Sequence, residues 1–314
     1  EGSNSILELN SVTFSEINLS PTNEAKGIIH ININNQQFNM ENCSFEDIEI
    51  QNKGGNVIRF QNDLQSKFIG TLTKCQLKNI NSQSDSDGSR GTGIYGSIGQ
   101  NSQLYIIGPT KFESCVSKTS SGGGIYTSIK QGGQLIIKNE CKFIGCTSEQ
   151  GSGGGIFTNI DGANSKLTIE DSIIFDSCQS SSGGGLSTVI SNGGLLTLSG
   201  ETSFVRCKSI IQHGGGISAS INGENSKIES SGEITFDHCE GKEYGGGIYI
   251  SIIDKGSMII SNTLILQSCS SANGGGIYAN IDFESQFEFI INDALIKECQ
   301  AKVDSSSSYP TGYG

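Results

Sequence analysis

The sequence predicts an all-β parallel solenoid (a β-helix) of about nine to ten turns, with about 31 residues in each turn. Three observations predict it. A Gly-Gly-Gly-Ile tag recurs at a near-constant interval, a Phe-x-x-Cys tag comes after it in each unit, and a short apolar stretch lies between the two.

The Gly tag has as its aliphatic member Ile94, Ile125, Ile156, Leu186, Ile217, Ile248 and Ile277, at gaps of 31, 31, 30, 31, 31 and 29 residues. Two degenerate copies upstream, Lys26-Gly27-Ile28 and Gly54-Gly55-Asn56-Val57, bring the number to nine. The residues after the tag alternate cleanly, as in Ile125-Tyr126-Thr127-Ser128-Ile129 and Ile156-Phe157-Thr158-Asn159-Ile160. A period of two with one aliphatic or small face is a strand, not a helix. Ile98, Ile129, Ile160, Ile190, Ile221, Ile252 and Ile281 are then expected to form one inward ladder, with rungs about 4.8 Å apart. Each such side chain contributes at most about 1.5–3 kcal/mol on burial. Glycine supplies 43 of the 314 residues, which fits a chain that turns many corners.

The apolar stretch reads Leu135-Ile136-Ile137, Leu167-Thr168-Ile169 and Met258-Ile259-Ile260 in three of the units, a second strand in each. The third strand carries Phe112…Cys115, Phe143…Cys146, Phe175…Cys178, Phe204…Cys207, Phe236…Cys239, Leu266…Cys269 and Ile296…Cys299. Three earlier copies place Ile17, Ile48 and Ile80 where the Cys would stand. No segment keeps a helical period. A propeller blade needs a longer repeat and a leucine-rich repeat a different consensus. The coil spans 1–300, and 301–314 reads as a Ser-rich tail or linker. A linker-like stretch at 81–92 accounts for the 37-residue gap between Val57 and Ile94.

The cysteine ladder Cys115, Cys146, Cys178, Cys207, Cys239, Cys269 and Cys299 occupies a position that accepts Ile, so it is an inward apolar position. Free thiols are the first expectation. Bridges between adjacent rungs (Cys115–Cys146, Cys178–Cys207, Cys239–Cys269) are the alternative, since rung spacing falls within the Cα range of a disulfide. Cys43, Cys75 and Cys141 sit two places before the aromatic or aliphatic tag residue (Phe45, Leu77 and Phe143) instead. Zinc ligation needs convergent spacing of the Cys-x-x-Cys kind, which the chain lacks. Neither a metal nor a cofactor is expected.

The Gly-Gly-x-Ile tag paired with a Phe-x-x-(Asn) tag resembles the passenger repeats of chlamydial polymorphic membrane proteins, and similar repeats occur in protist surface proteins. The resemblance runs from about residue 2 to 299. It implies a right-handed, single-stranded parallel β-helix, secreted or displayed at the cell surface, with an adhesive role. This chain departs from that pattern by placing Cys or Ile at the Asn position, so an inward Asn ladder is not carried over.

Charge and motifs narrow the function. Lys+Arg 20 against Asp+Glu 32 gives a net charge of −12, which repels phosphate and disfavours nucleic acid. No apolar run is long enough for a transmembrane helix. The residue after each tag Ile has outward parity; Tyr95, Tyr126, Phe157, Tyr249 and Tyr278 there form two candidate surface-binding patches, separated by Ser187 and Ser218. They read either as a face for glycan rings or another copy, or as cross-rung stacking and cover from a corner. Asn18-Leu19-Ser20 and Asn42-Cys43-Ser44 are candidate N-glycosylation triplets. Asp85-Ser86-Asp87-Gly88 lacks the spaced ligands of a calcium loop. Asp161, Asp171 and Asp176 share one repeat without equivalents in the next, and His30, His213 and His238 align with no nucleophile. No catalytic set is expected. The sequence predicts a non-enzymatic extracellular structural or adhesive protein, stacking on itself or meeting surface glycans; a glycan-binding module or a lyase-like polysaccharide enzyme is the alternative.

Overall fold

The computed structural model describes residues 6–23, 27–32, 37–61, 67–84, 90–282 and 288–302. The described residues contain strands, turns and corners but no helix, and the named strands pair only in parallel. They wind into a solenoid of about nine turns at about 31 residues per turn. The chain is a parallel β-solenoid repeat protein.

Each turn runs along three faces, with one strand on each except where the second face breaks into two short strands, as at Lys142–Ile144 and Thr147–Ser148. The first face starts with Ile6–Asn10, Gln37–Glu41 and Ile69–Thr73. The second starts with Thr13–Leu19, Ser44–Ile50 and Gln76–Ser82. The third has nine strands, from Gly27–Asn32 to Ile277–Ile281. Near the far end the first two faces merge, because Ser257–Gln267 and Glu288–Lys297 run continuously round their shared corner, with a register shift between Ile260 and Thr263.

The three strand types predicted per unit are therefore present, and the inward ladder is in register. Ile129 pairs with Ile98 and Ile160, and all three side chains are buried. Beneath the second face a column of aromatic rings runs along the axis. Phe112, Phe143, Phe175, Phe204 and Phe236 stack at centroid distances of 4.7, 4.9, 4.8 and 4.8 Å.

The Gly tag and the Phe tag fit each other. In Gly183-Gly184-Gly185 the first residue has φ +67°, a conformation that glycine adopts without penalty. At the third, a Cβ would stand 2.5 Å from Cδ1 of Phe204, the aromatic residue of the same unit. The third glycine thus opens the space that the ring fills.

Two upstream copies of the tag lie one residue out of the expected phase. Ile58, not Val57, pairs with Ile94, and Ile29, not Ile28, pairs with Ile58. The shift is taken up around Asn56, which is fully buried. Its side-chain amide donates to the carbonyls of Gly91 (3.0 Å) and Arg90, and Val57 and Ile58 are both buried beyond it. The long gap is also explained. Ser82 and Ser117 are in register, yet twelve residues separate Ser82 from Ile94 where eight separate Ser117 from Ile125. Four of the extra residues fall between Ser82 and Ile94, within 81–92, although Asn81 and Ser82 themselves end the strand Gln76–Ser82; the Asp85–Gly88 motif and the tail at 303–314 lie outside the described residues.

A feature that the sequence pattern does not announce recurs just before each ladder position. Glu16, Asp47, Asn79, Ser114, Ser177, Arg206, His238, Ser268 and Glu298 all have φ between 50° and 56°, and Gly145 has φ +60° in the same place. This left-handed residue turns the strand so that the following Ile or Cys points inward. At Gly145 a Cβ would meet only Ser114 Oγ at 3.8 Å, so conformation alone decides what the position accepts. Gly145→Val is expected to cost about 1–2 kcal/mol in urea denaturation, whereas Gly145→Asn, a side chain tolerant of this conformation, should cost a few tenths.

Candidate functional site

The third face carries the predicted surface aromatics, and the structure places them in two stacks. Tyr95, Tyr126 and Phe157 stack across three turns at 5.6 and 5.1 Å, and Tyr249 stacks on Tyr278 at 5.9 Å. Their outward parity holds, but corners cover much of the row. Tyr126 is only 8 % exposed, with the Arg90 guanidinium donating to its hydroxyl at 3.3 Å. Arg59, the preceding rung of the same row and only 7 % exposed, sets its guanidinium 3.9 Å above the Tyr95 ring. The Ser187 and Ser218 rungs are buried as well, since Ser182 from the preceding corner donates to Ser218 Oγ at 3.0 Å. His213 stacks on Tyr249 at 4.4 Å, and Tyr244 packs on Tyr278 at 4.5 Å. The row therefore braces the sheet against its corner.

His213 lies at the corner just before Gly214-Gly215-Gly216. Its Nδ1 is buried without a hydrogen-bond partner, with the Glu243 carboxylate 3.8 Å away. Burial holds the imidazole below its ordinary range, and the Glu243 charge offsets this in part. His238 is exposed and contacts Asp237 at 2.7 Å; His30 is exposed on a distant turn.

Two residues beyond the aromatic row, along the same strands, the third face opens into a groove of about 440 Å³. Ser97, Ser128, Lys130, Gln131, Asp161 and Asn192 line it, over a floor that includes Ile98, Gly99 and Gly162. The lining comes from four successive turns and is pre-oriented. Gln100 donates its side-chain amide to Gln131 Oε1 at 2.9 Å, and Asp161 Oδ1 accepts from Asn192 Nδ2 at 2.7 Å and Ser191 Oγ at 3.1 Å. Amides, hydroxyls, one ammonium and one carboxylate over a glycine-rich floor can hydrogen-bond a polyhydroxylated ligand lying flat against the backbone. Two-carboxylate glycoside chemistry has only Asp161 to work with among these residues. Asp171 sits at another corner, accepting from the Asn139 amide at 3.3 Å, and Asp176 pairs with Arg206 on the second face. The three acids of that repeat are not brought together.

The groove was not anticipated from the sequence, although its signal is present. Gln100 and Gln131 stand two residues past the inward Ile98 and Ile129, so the amide pair repeats with the period. Asn18 and Asn42 are both exposed, Asn18 on the strand Thr13–Leu19 and Asn42 at a corner with φ 52°.

Six ladder cysteines are fully buried and Cys299 half-buried; all ten cysteines in the chain are free thiols. Each ladder thiol donates to the carbonyl of the aromatic or aliphatic tag residue one turn back, as in Cys146 to Phe112 (3.5 Å) and Cys178 to Phe143 (3.4 Å).

No known protein family, curated protein or solved structure matches this chain.

Proposed function

We propose that the chain is a non-enzymatic extracellular or cell-surface β-solenoid, structural or adhesive in role, that engages glycans through the third-face groove. The observation that carries this reading is the groove itself, where four turns present hydrogen-bonding groups to one strip over a backbone floor. A rigid coil repeats those groups at rung spacing, which suits an extended glycan better than a compact metabolite. The likeness of the repeat to polymorphic membrane protein passengers supports the surface location.

Retention on an array of immobilised glycans tests the reading. The wild type is expected to bind at least one class, and Gln131→Ala and Asn192→Ala are each expected to weaken that binding about tenfold, the effect of losing one well-placed hydrogen bond. Failure to bind any class, or binding indifferent to both variants, would overturn it. Release of reducing or unsaturated sugar ends would instead favour the enzymatic alternative.

Self-association is a second reading with its own support. The rung Glu288–Lys297 is the last of its sheet among the described residues, and at that edge Leu295 and Ile296 are each 55 % exposed. Such an edge is a template for further turns, of this polypeptide or of a second copy. Head-to-tail stacking of copies predicts a sedimentation coefficient that rises with concentration.

A further inference from the structure

The sulphur ladder is in strict register. Glu113 pairs with Ile144 and Val116 with Thr147, which sets Cys115 directly over Cys146. The same bracketing sets Cys239 over Cys269 and Cys269 over Cys299. Rungs of a parallel sheet lie about 4.8 Å apart, inside the Cα range that a disulfide spans. Geometry therefore permits a bridge at every step.

Access does not. Cys115, Cys146, Cys178, Cys207, Cys239 and Cys269 are buried, and Cys299 alone of the ten is half-buried. Cys43 and Cys75 form a second in-register pair, bracketed by Glu41–Thr73 and Ser44–Gln76, and both are buried. That pair has the geometry of a bridge without the access, which makes it an internal control. Exchange with a dissolved disulfide needs a thiolate that the reagent can reach.

We propose that Cys299 and Cys269 form a redox-active pair, oxidised to a cross-turn disulfide by small-molecule disulfides of the glutathione type, while the other eight cysteines remain thiols. In the first step the Cys299 thiolate attacks one sulphur of the reagent. A mixed disulfide forms on Cys299 and one glutathione thiolate leaves. In the second, the Cys269 sulphur, as its thiolate, attacks Sγ of Cys299 and releases the second glutathione. Two protein thiols are oxidised, one reagent disulfide is reduced to two thiols, and the two protons released by the protein thiols are taken up by the departing glutathione thiolates or by solvent. The bridge ties the rung Glu288–Lys297 to the turn beneath it. Burial pushes the Cys299 thiol up, so the rate is expected to increase with pH in the alkaline range.

The test is incubation of the full chain with oxidised glutathione, alkylation of remaining thiols, and non-reducing peptide mapping. The wild type is expected to lose two thiols per chain and yield the Cys269–Cys299 bridge, with Cys43 and Cys75 fully alkylated after denaturation. Cys299→Ser should lose none in the same time. Cys269→Val should hold one glutathione on Cys299 without bridging; Ile80 fills the equivalent position in an earlier turn, so this variant keeps an apolar rung, with circular dichroism as the check on its fold. A Cys43–Cys75 bridge forming as fast, a first bridge elsewhere in the ladder, undiminished thiol loss in Cys299→Ser, or no thiol loss in the wild type would each overturn the proposal.

Discussion

Gly184→Ala is expected to lower stability by about 3 kcal/mol, at the upper end of what overpacking a tight site costs. The added Cβ would stand 2.5 Å from the Lys208 amide nitrogen and 2.7 Å from its carbonyl oxygen, with the Gly215 carbonyl closer still. These are backbone atoms held in place by neighbouring turns, so none can withdraw without breaking pairs above or below. Gly99→Ala is the control: its Cβ would meet Gln131 Oε1 and the Lys130 carbonyl at 3.6 Å, an ordinary contact, and stability should change little. Urea denaturation followed by circular dichroism separates the two. Equal effects would show that the middle glycine of the tag is not a packing requirement.

Phe175→Ala is expected to cost about 3–5 kcal/mol by the same measurement, as removal of a fully buried ring does when its surroundings cannot collapse. Rings at 4.9 and 4.8 Å hold the space above and below, and the rung spacing of two sheets prevents those turns from closing on the void. A related experiment examines the pairing of the two tags. Gly185→Ala should be markedly less damaging in a Phe204→Val background, because the Cδ1 and Cε1 atoms it would strike (2.5 and 2.8 Å) are then gone.

Sequence periodicity revealed the architecture because the turns are nearly equal in length and each inward position repeats with its chemistry intact. Ile129 over Ile160 could be read directly from the spacing. The phase at Val57 could not, because Gly54-Gly55 mimics the tag while Asn56, a polar residue whose burial depends on carbonyls from the next turn, adds the displaced residue. Parity correctly sent Tyr126 outward but was silent on whether a corner would fold back across it. That depends on the path of residues such as Arg90 and Ser182, which carry no alternation. The left-handed position before each ladder residue was obscured by its variety. Asn79, Asp47 and Gly145 suit that conformation, whereas Arg206 and Glu298 give no hint of it. The groove lay at a corner for the same reason, with only the Gln100–Gln131 repeat to mark it.

Because every winding touches only the one before and the one after, load applied along the polypeptide would be borne one hairpinless loop at a time. A chain pulled from its two ends should peel rather than rupture, each event releasing a contour length of roughly 100 Å, as about 31 extended residues allow. An anchored molecule of this build would act as a shock absorber, yielding in even increments and rewinding from whichever part remained coiled.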